Sequence, residues 1–197
     1  MLDLEMISQF AKQRNIITVI DNTWATPLFQ NPLVHGIDIV IHSCSKYIGG
    51  HSDLVGGVVI SNQKYIHEIN EFGQIFLGAT MSPMNAWLAL RGLRTLPVRL
   101  KSQEQSVKQV IQFLQQSPYV KKIYHPMVHT STDLTDKYLK GYGSLLSFVL
   151  KDATPDVIER FVDSLKHFTL AYSWGGFESL VMPVWKGSNE EELKKEA

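Results

Sequence analysis

The chain has 197 residues, enough for one domain or two small ones, and its apolar content of 44% is ordinary for a folded protein. Nineteen basic residues balance nineteen acidic ones, so the charge gives no indication of a nucleic acid or an anionic membrane as partner. No apolar run is long enough to span a bilayer, and residues 1–15 lack the pattern of a signal peptide. The single cysteine, Cys44, cannot form an internal disulfide, which fits a reducing compartment. The composition therefore predicts a cytoplasmic protein that binds neither nucleic acid nor membrane.

Alternating helices and strands in the first half of the chain predict an α/β fold. Apolar residues at helical spacing indicate a helix over residues 2–14, and the β-branched run 16–20 indicates a strand buried on both faces. Two further strands are expected to end at Ser43 and at Ser61. Asp21 and Ser43 would then follow strand ends, where ligands gather in such sheets. Whether the two ends share one edge depends on strand direction, which the residues leave open.

Prolines mark the next helices and the expected domain boundary. Residues 64–78 predict a helix, and Ser82-Pro83 predicts the start of another, with serine as N-cap and proline in the first turn. Pro97 is expected to break that helix and to separate a domain 1–96 from a domain 97–197. The second half repeats the alternation, with strands over 120–124, 145–150 and 168–171, a helix beginning at Thr154-Pro155, and an exposed connection over 127–143.

A lysine directly after a short strand is the first candidate for chemistry. Lys46 follows the apolar run 37–41, and an ammonium group near a buried strand is costly unless a partner holds it. Ser43 and Ser45 alternate just before it and could hold an anionic group close to the amine. An amine beside a phosphate-sized anion site suggests pyridoxal phosphate, which forms a Schiff base with lysine. The alternative is that this segment is simply the polar end of a strand.

Asp21 could supply the counter-charge of a pyridinium nitrogen, or it could cap a turn. Coulomb's law gives about 4 kcal/mol for unit charges ~4 Å apart at an effective dielectric constant of about 20. That energy is roughly a thousandfold bias towards the protonated ring, which withdraws electrons from an attached imine. Asp21, Lys46 and the two serines therefore form one chemically coherent set.

The stretch Ser173-Trp174-Gly175-Gly176 follows an expected strand and is the second candidate for chemistry. Its backbone N–H groups and the Ser173 hydroxyl could receive a carboxylate. The alternative is a tight turn with Trp174 as a core side chain.

Other site classes find no support in the sequence. His125 and His129 are four residues apart, but Pro126 between them argues against a shared helical face, so no metal site is expected. The nucleotide-binding and serine-hydrolase motifs are absent. Cys44 lies close to Lys46 and could be a reactive thiol, or a small residue at a strand end.

Four segments carry a resemblance that extends over nearly the whole chain. They are VIDNTWATP (19–27), SCSKY with GHSD (43–47 and 50–53), MSP through RGLRTL (81–96) and SWGGFES (173–179). In this order they resemble the pyridoxal-phosphate enzymes of cysteine and methionine metabolism, the cystathionine lyase and synthase family. The resemblance implies the C-terminal part of an aspartate aminotransferase-type large domain, followed by an incomplete smaller α/β domain.

The resemblance also implies a role for each candidate residue. Lys46 would form the Schiff base with pyridoxal phosphate and act as general base, and Asp21 would pair with the pyridine nitrogen. Ser43 and Ser45 would bind the cofactor phosphate. The substrate carboxylate of an amino acid would be held by Ser173, with Trp174 beside it.

Within the family, the Ser-Trp-Gly-Gly segment is similar to bacterial cystathionine β-lyases, whereas γ-synthases and γ-lyases more often have leucine at the Trp174 position. This likeness implies β-elimination of cystathionine to homocysteine, pyruvate and ammonia by a homo-oligomeric enzyme. Cystathionine γ-synthase and γ-lyase are the alternatives.

The resemblance covers only the second half of a family member. The glycine-containing phosphate turn and the ring-stacking tyrosine of the family have no match here, nor does the arginine that clamps the substrate carboxylate. The chain stops in a polar Glu-Lys tail. A sheet without half its strands would expose an edge and an apolar face, so we expect the chain alone to be marginally folded and inactive. A further alternative is therefore a truncated, non-catalytic remnant that associates with a full-length subunit through its exposed sheet edge.

Overall fold

The computed structural model describes residues 1–129 and 132–184, so the polar tail lies outside the described residues. The α-helices are α1 (Leu4–Lys12), α2 (Thr26–Phe29), α3 (Gln63–Ile69), α4 (Pro83–Gln116), α5 (Pro126–His129), α6 (Thr132–Tyr138) and α7 (Pro155–Ser164). The strands are β1 (Val19–Asp21), β2 (Ile39–Ser43), β3 (Gly57–Ser61), β4 (Val120–Tyr124), β5 (Ser147–Leu150), β6 (Thr169–Leu170) and β7 (Leu180–Val181). Within these described ranges, no helix is both long and apolar enough to cross a membrane.

The first sheet brings two of the candidate strand ends to one edge. β1 runs parallel to β2, with Val19 opposite Ile39 and Asp21 opposite Ile41. β3 runs antiparallel to β2, so Gly57 at its start lies opposite Ser43. The sequence left open whether Asp21 and Ser43 share one edge of the sheet. They do, because β1 and β2 are parallel and their carboxyl ends lie side by side.

The expectation that the first strand is buried on both faces is wrong. Val19 is 59% exposed, and Ile16 and Ile17 before it are each 53% exposed. β1 is an edge strand that pairs only with β2 among the described residues. A β-branched run indicates a strand that can be buried, but the exposure also depends on which elements cover it.

The helix break expected at Pro97 is also wrong, since α4 runs unbroken for 34 residues. A proline inside a helix costs about 3 kcal/mol, because it removes a hydrogen bond and crowds the preceding turn. Leu96 and Leu100 are each only 1% exposed, and burying each of them contributes roughly 1.5–3 kcal/mol. Core packing on either side of Pro97 therefore outweighs the cost of the proline. The division into domains 1–96 and 97–197 stays a prediction.

The segment 127–143, expected to be an exposed connection, instead contains α6 and part of α5. Tyr138 is 3% exposed and packs with Leu4 and Ile37, and its hydroxyl donates to an Asp3 carboxylate oxygen at 2.5 Å. A polar sequence with one well-placed aromatic residue therefore covers the α1 side of the sheet. The other predicted elements lie close to their expected positions, including the strands β4, β5 and β6 and the helix α7.

Candidate active site

Thr23 joins the two parallel strand ends at the site. Its N–H and its hydroxyl both donate to Oδ1 of Asp21, at 2.9 and 2.5 Å. The same hydroxyl oxygen accepts from the N–H of Ser43 at 2.8 Å. Thr23 therefore orients the Asp21 carboxylate and ties it to the end of β2. Sequence reasoning did not single out Thr23, although an Asp followed two residues later by Thr is a local side-chain turn signal.

Lys46 lies in a kinked turn that follows β2. The turn spans Cys44–Ile48, and the Lys46 backbone leaves helical geometry inside it, with φ −102° and ψ −125°. The N–H groups of Gly49 and Gly50 close the turn on the carbonyls of Cys44 and Lys46, each at 2.8 Å. The lysine is thus carried half-buried at the end of the strand rather than inside the sheet.

Arg99 of α4 holds this turn in place. Its guanidinium donates to the carbonyls of Tyr47 (2.8 Å), Ile48 (3.2 Å) and Gly92 (2.8 Å). Burial lowers the pKa of Arg99, but a guanidinium stays charged at every physiological pH. Gly92 permits the close approach, because a Cβ there would lie 2.3 Å from the carbonyl oxygen of Ile48. The helix that carries Arg99 therefore fixes the backbone directly after the lysine.

The predicted substrate-binding loop folds back onto Lys46 from far along the chain. Nζ of Lys46 donates to Oγ of Ser173 at 3.2 Å and lies 5.3 Å from the ring centroid of Trp174. Trp174 contacts Tyr47 edge-on, with ring centroids 5.4 Å apart. Gly175 has φ +81°, and a Cβ there would lie 2.8 Å from the Tyr47 nitrogen. Trp174 thus packs on the core cluster of Tyr47 and also lies beside the lysine amine.

The two serines differ in their local partners. Oγ of Ser45 accepts from the N–H of Gly56 at 3.1 Å, and its contact with the Gly56 carbonyl, at 3.5 Å, is at the limit of a hydrogen bond. Among the described residues, the Ser43 hydroxyl has no hydrogen-bond partner. Both hydroxyls can therefore still donate to an anion. Asp21 is exposed, so its carboxylate can also reach a ligand.

These groups fit pyridoxal phosphate by their chemistry. The cofactor has an aldehyde, a phosphate and a basic ring nitrogen, and the site offers an amine, hydroxyl donors and a carboxylate. Lys46, Ser173 and Trp174 are in mutual proximity, and Asp21 is linked to Ser43 through Thr23. Asp21 and Lys46 form no hydrogen bond or ion pair with each other in the described part of the chain.

Two buried side chains lie beneath the site. His42 is 3% exposed and its Nδ1 has no hydrogen-bond partner within the described residues. Burial lowers the pKa of His42, while the nearby Asp21 charge opposes that change. Cys44 is fully buried, and burial raises the pKa of its thiol. A raised thiol pKa disfavours the reactive thiolate, so the geometry favours the interpretation of Cys44 as a small strand-end residue.

Comparison with known proteins identifies the family. The family model described as "Cys/Met metabolism PLP-dependent enzyme" matches residues 1–196, and the chain belongs to this family. Its fold is that of the family, and pyridoxal phosphate is the family's cofactor.

Individual relatives carry several related activities. A cystathionine β-lyase of Lactococcus lactis is 40% identical over 182 residues, and a cystathionine γ-lyase of Bacillus subtilis is 37% identical over 181 residues. Each alignment covers 91% of this chain and 47% of the relative. A crystal structure of cystathionine γ-synthase from Xanthomonas oryzae, in complex with aminoacrylate and cysteine, superposes with a TM-score of 0.87 at 39% identity, over 92% of this chain and 47% of the other. The chain thus spans about half the length of the curated relatives it matches.

Proposed function

We propose that this chain supplies the catalytic lysine and the substrate-binding loop of a pyridoxal-phosphate-dependent carbon–sulfur lyase that cleaves cystathionine by β-elimination. The single observation that carries the proposal is the 3.2 Å hydrogen bond from Nζ of Lys46 to Oγ of Ser173. It places a basic amine next to a hydroxyl that can receive an amino-acid carboxylate. The family membership and the similarity to cystathionine enzymes support it further.

Each residue of the site has a role in this proposal. Pyridoxal phosphate, when bound, withdraws electrons from the carbon that carries the substrate amine. Asp21 holds the counter-charge for the ring nitrogen, and the hydroxyls of Ser43 and Ser45 donate to the phosphate. Lys46 would hold the cofactor through its amine, and after the substrate amine has replaced it there, Nζ would take the proton from the substrate Cα.

The substrate side depends on the loop that contacts Lys46. Ser173 binds the carboxylate and so orients the Cα–H bond towards Nζ of Lys46. The Trp174 ring lies 5.3 Å from the same amine, where it can stabilise the ammonium form by a cation–π contact. In β-elimination the bond between Cβ and sulfur then breaks, and Lys46 returns the proton to the departing homocysteine sulfur. Pyruvate and ammonia form from the remaining three-carbon unit after water is added.

We favour β-elimination over the γ-reactions because of Trp174, the residue by which the segment is similar to bacterial β-lyases. Cystathionine γ-lyase and γ-synthase are the alternatives, and relatives with both activities are similar to this chain to almost the same degree. The two eliminations differ in their products. β-Elimination of cystathionine gives homocysteine and pyruvate, whereas γ-elimination gives cysteine and 2-oxobutanoate.

Product analysis tests this proposal. The protein is incubated with pyridoxal phosphate and L-cystathionine, and thiols and oxo acids are quantified by mass spectrometry. The missing half of the family's sequence led us to expect an inactive chain, but the contact between Lys46 and Ser173 predicts turnover. We expect homocysteine and pyruvate in equal amounts, their loss in Lys46→Ala, and no change in the control Lys64→Ala on the exposed surface of α3. Cysteine and 2-oxobutanoate would instead support the γ-lyase alternative. The absence of all four products would support the non-catalytic alternative.

A second candidate function is association with another subunit of the same family, and exposed apolar surface favours it. Met6 and Phe10 on α1, and Leu2 just before it, are 56–65% exposed. β1 and β3 each lie at an edge of the three-stranded sheet. Open strand edges beside apolar surface are the places where another α/β polypeptide can add strands and helices.

Light scattering on the protein alone, and after mixing with a full-length family member, tests this association. A mass that exceeds one chain, or a mixed complex, supports it, whereas separate monomers contradict it. We propose that the lyase works in the cytoplasm as a homo-oligomer and that its substrate is an amino acid.

A further inference from the structure

We infer that Gln103 is a positioning residue, which holds the loop 173–176 against the catalytic lysine. This inference rests on the proposed function of that loop and adds a residue that lies outside the set of cofactor and substrate contacts. Gln103 is on α4, one turn after Arg99, and its side chain is partly buried beneath the loop.

The amide of Gln103 bridges two segments that are distant from each other in sequence. Its Nε2 donates to the carbonyl of Gly176 at 3.1 Å. Its Oε1 accepts from Oγ of Ser144 at 3.3 Å. One side chain of the long helix α4 is therefore hydrogen-bonded both to the loop that contains Ser173 and to the segment at Ser144.

The bridge continues to the residue next to the catalytic lysine. The N–H of Ser144 donates to the hydroxyl of Tyr47 at 2.8 Å, and the two hydroxyls are 3.1 Å apart. Tyr47 is 1% exposed and contacts the Trp174 ring, so the network reaches the loop at a second residue. The Gln103 amide and the Tyr47 ring thus contact the loop at Gly176 and at Trp174.

The two ends of the amide have different chemical requirements. The contact with Gly176 needs a donor, and the contact with Ser144 needs an acceptor, which an amide provides together. A glutamate keeps the shape and the acceptor but has no donor for Gly176. A methionine keeps the length of the side chain and has neither hydrogen bond. The pair of variants therefore separates the loop contact from the Ser144 contact.

Loss of the Gly176 contact has a defined consequence for the site. Ser173 lies three residues before Gly176 in the same loop, and its hydroxyl accepts from Nζ of Lys46. When the loop loosens, the carboxylate-binding hydroxyl is no longer held at a fixed distance from the amine. Binding of the amino-acid carboxylate should weaken, whereas the cofactor contacts at Asp21 and Ser43 should not change.

The first test does not depend on any ligand. Hydrogen–deuterium exchange is compared for wild type, Gln103→Glu, Gln103→Met and the control Gln109→Met, which alters an exposed glutamine on the same helix. We expect exchange in peptides covering 172–178 to accelerate about three- to tenfold in both Gln103 variants, the range for loss of one neutral hydrogen bond, and not in the control. Unchanged exchange there, or equal acceleration throughout the chain, would overturn the inference.

The second test uses L-cystathionine and pyridoxal phosphate with the same four proteins. We expect KM for cystathionine to rise about three- to tenfold in the Gln103 variants, with the dissociation constant of pyridoxal phosphate unchanged. A change in cofactor affinity with no change in KM would contradict a positioning role. If wild type itself has no activity, the proposed function fails, and the exchange measurement still decides the role of Gln103.

Discussion

His42 is buried on the inward side of β2, and its burial makes the stability of the chain depend on pH. Burial lowers the pKa of His42 below its usual value of 6.5, and the same cause lowers the pKa of His125. The unfolded chain therefore binds protons at a higher pH than the folded chain does. The stability that the two neutral histidines contribute is fully present above about pH 6.5, which is the pKa of histidine in the unfolded chain. It is lost as the pH falls below that value.

We predict that the free energy of unfolding decreases between pH 6.5 and pH 5, by at most about 1.4 kcal/mol per pH unit for each histidine. Urea unfolding at a series of pH values measures this slope. His42→Leu should reduce the slope, because it removes one of the two buried imidazoles. Equal slopes for His42→Leu and wild type would show that this histidine does not titrate with unfolding.

Thr23 is the residue whose loss should separate the two strand ends. Thr23→Val keeps the shape but removes the hydroxyl that bonds Asp21 and the N–H of Ser43. We predict a loss of about 0.5–1.5 kcal/mol of stability, the net contribution of one hydrogen bond at these partly buried groups, and weaker binding of pyridoxal phosphate. Thr23→Ser, which retains the hydroxyl, should restore both. Full cofactor affinity in Thr23→Val would mean that the orientation of Asp21 does not depend on this threonine.

Single residues at the site were predicted from the sequence to different degrees. Lys46 and Ser173 could be proposed because each follows a strand with polar or glycine neighbours, and the structure brings them into contact. Thr23, Gln103 and Arg99 were not singled out, because their roles arise from contacts across the fold. A glutamine among six on one helix carries no local signal that one of them faces a loop 73 residues away.

At the scale of elements, the approach of α4 to the Lys46 turn is the feature that positions the site. Gly92 lies where a Cβ would come within 2.3 Å of the Ile48 carbonyl oxygen and 2.5 Å of the Gly49 carbonyl oxygen. Both contacts are with backbone atoms, which cannot move aside as a flexible side chain can. The close packing of this helix on the turn therefore requires glycine at this position.

We predict that Gly92→Ala destabilises the chain, although alanine favours a helix by about 1 kcal/mol over glycine. The overlap with two carbonyls should force the helix away from the turn and outweigh that gain. Gly73→Ala is a matched control, since nothing lies within 4 Å of a Cβ there. Thermal unfolding of both variants gives the comparison, and a melting temperature of Gly92→Ala at or above wild type would contradict the packing described here.

The order of helices and strands could be predicted because it depends on local periodicity and on caps such as Ser82, whose hydroxyl accepts from the N–H of Asn85. Of the three element-scale expectations that were wrong, those at Pro97 and over residues 127–143 share one reason. Burial of Leu96 and Leu100 stabilises α4 on both sides of Pro97, so the helix continues. Packing of Tyr138 on Leu4 places a polar segment against α1. In both cases tertiary packing overrides the structure that the local sequence favours. Such packing involves residues far apart in the chain, so a short stretch of sequence does not predict it.

At the scale of the whole molecule, two distant parts of the chain form one candidate site. The turn around Lys46 comes from the sheet of the first half, and the loop around Ser173 comes from the second half. α4 connects them, with Arg99 on the lysine turn and Gln103 on the loop. The family resemblance implied a cofactor role for Lys46 and a substrate role for Ser173, whereas composition and periodicity alone left both segments with structural alternatives.

Covalent attachment of pyridoxal phosphate to Lys46 is the central claim, and reduction with borohydride followed by peptide mapping tests it most directly. The protein is mixed with the cofactor, reduced, digested and analysed by mass spectrometry, with Lys46→Ala as the control. We predict an absorbance band in the visible range and a cofactor adduct concentrated on Lys46, both lost in the control. Adducts spread evenly over surface lysines, or no adduct, would contradict the assignment of Lys46 as the catalytic residue.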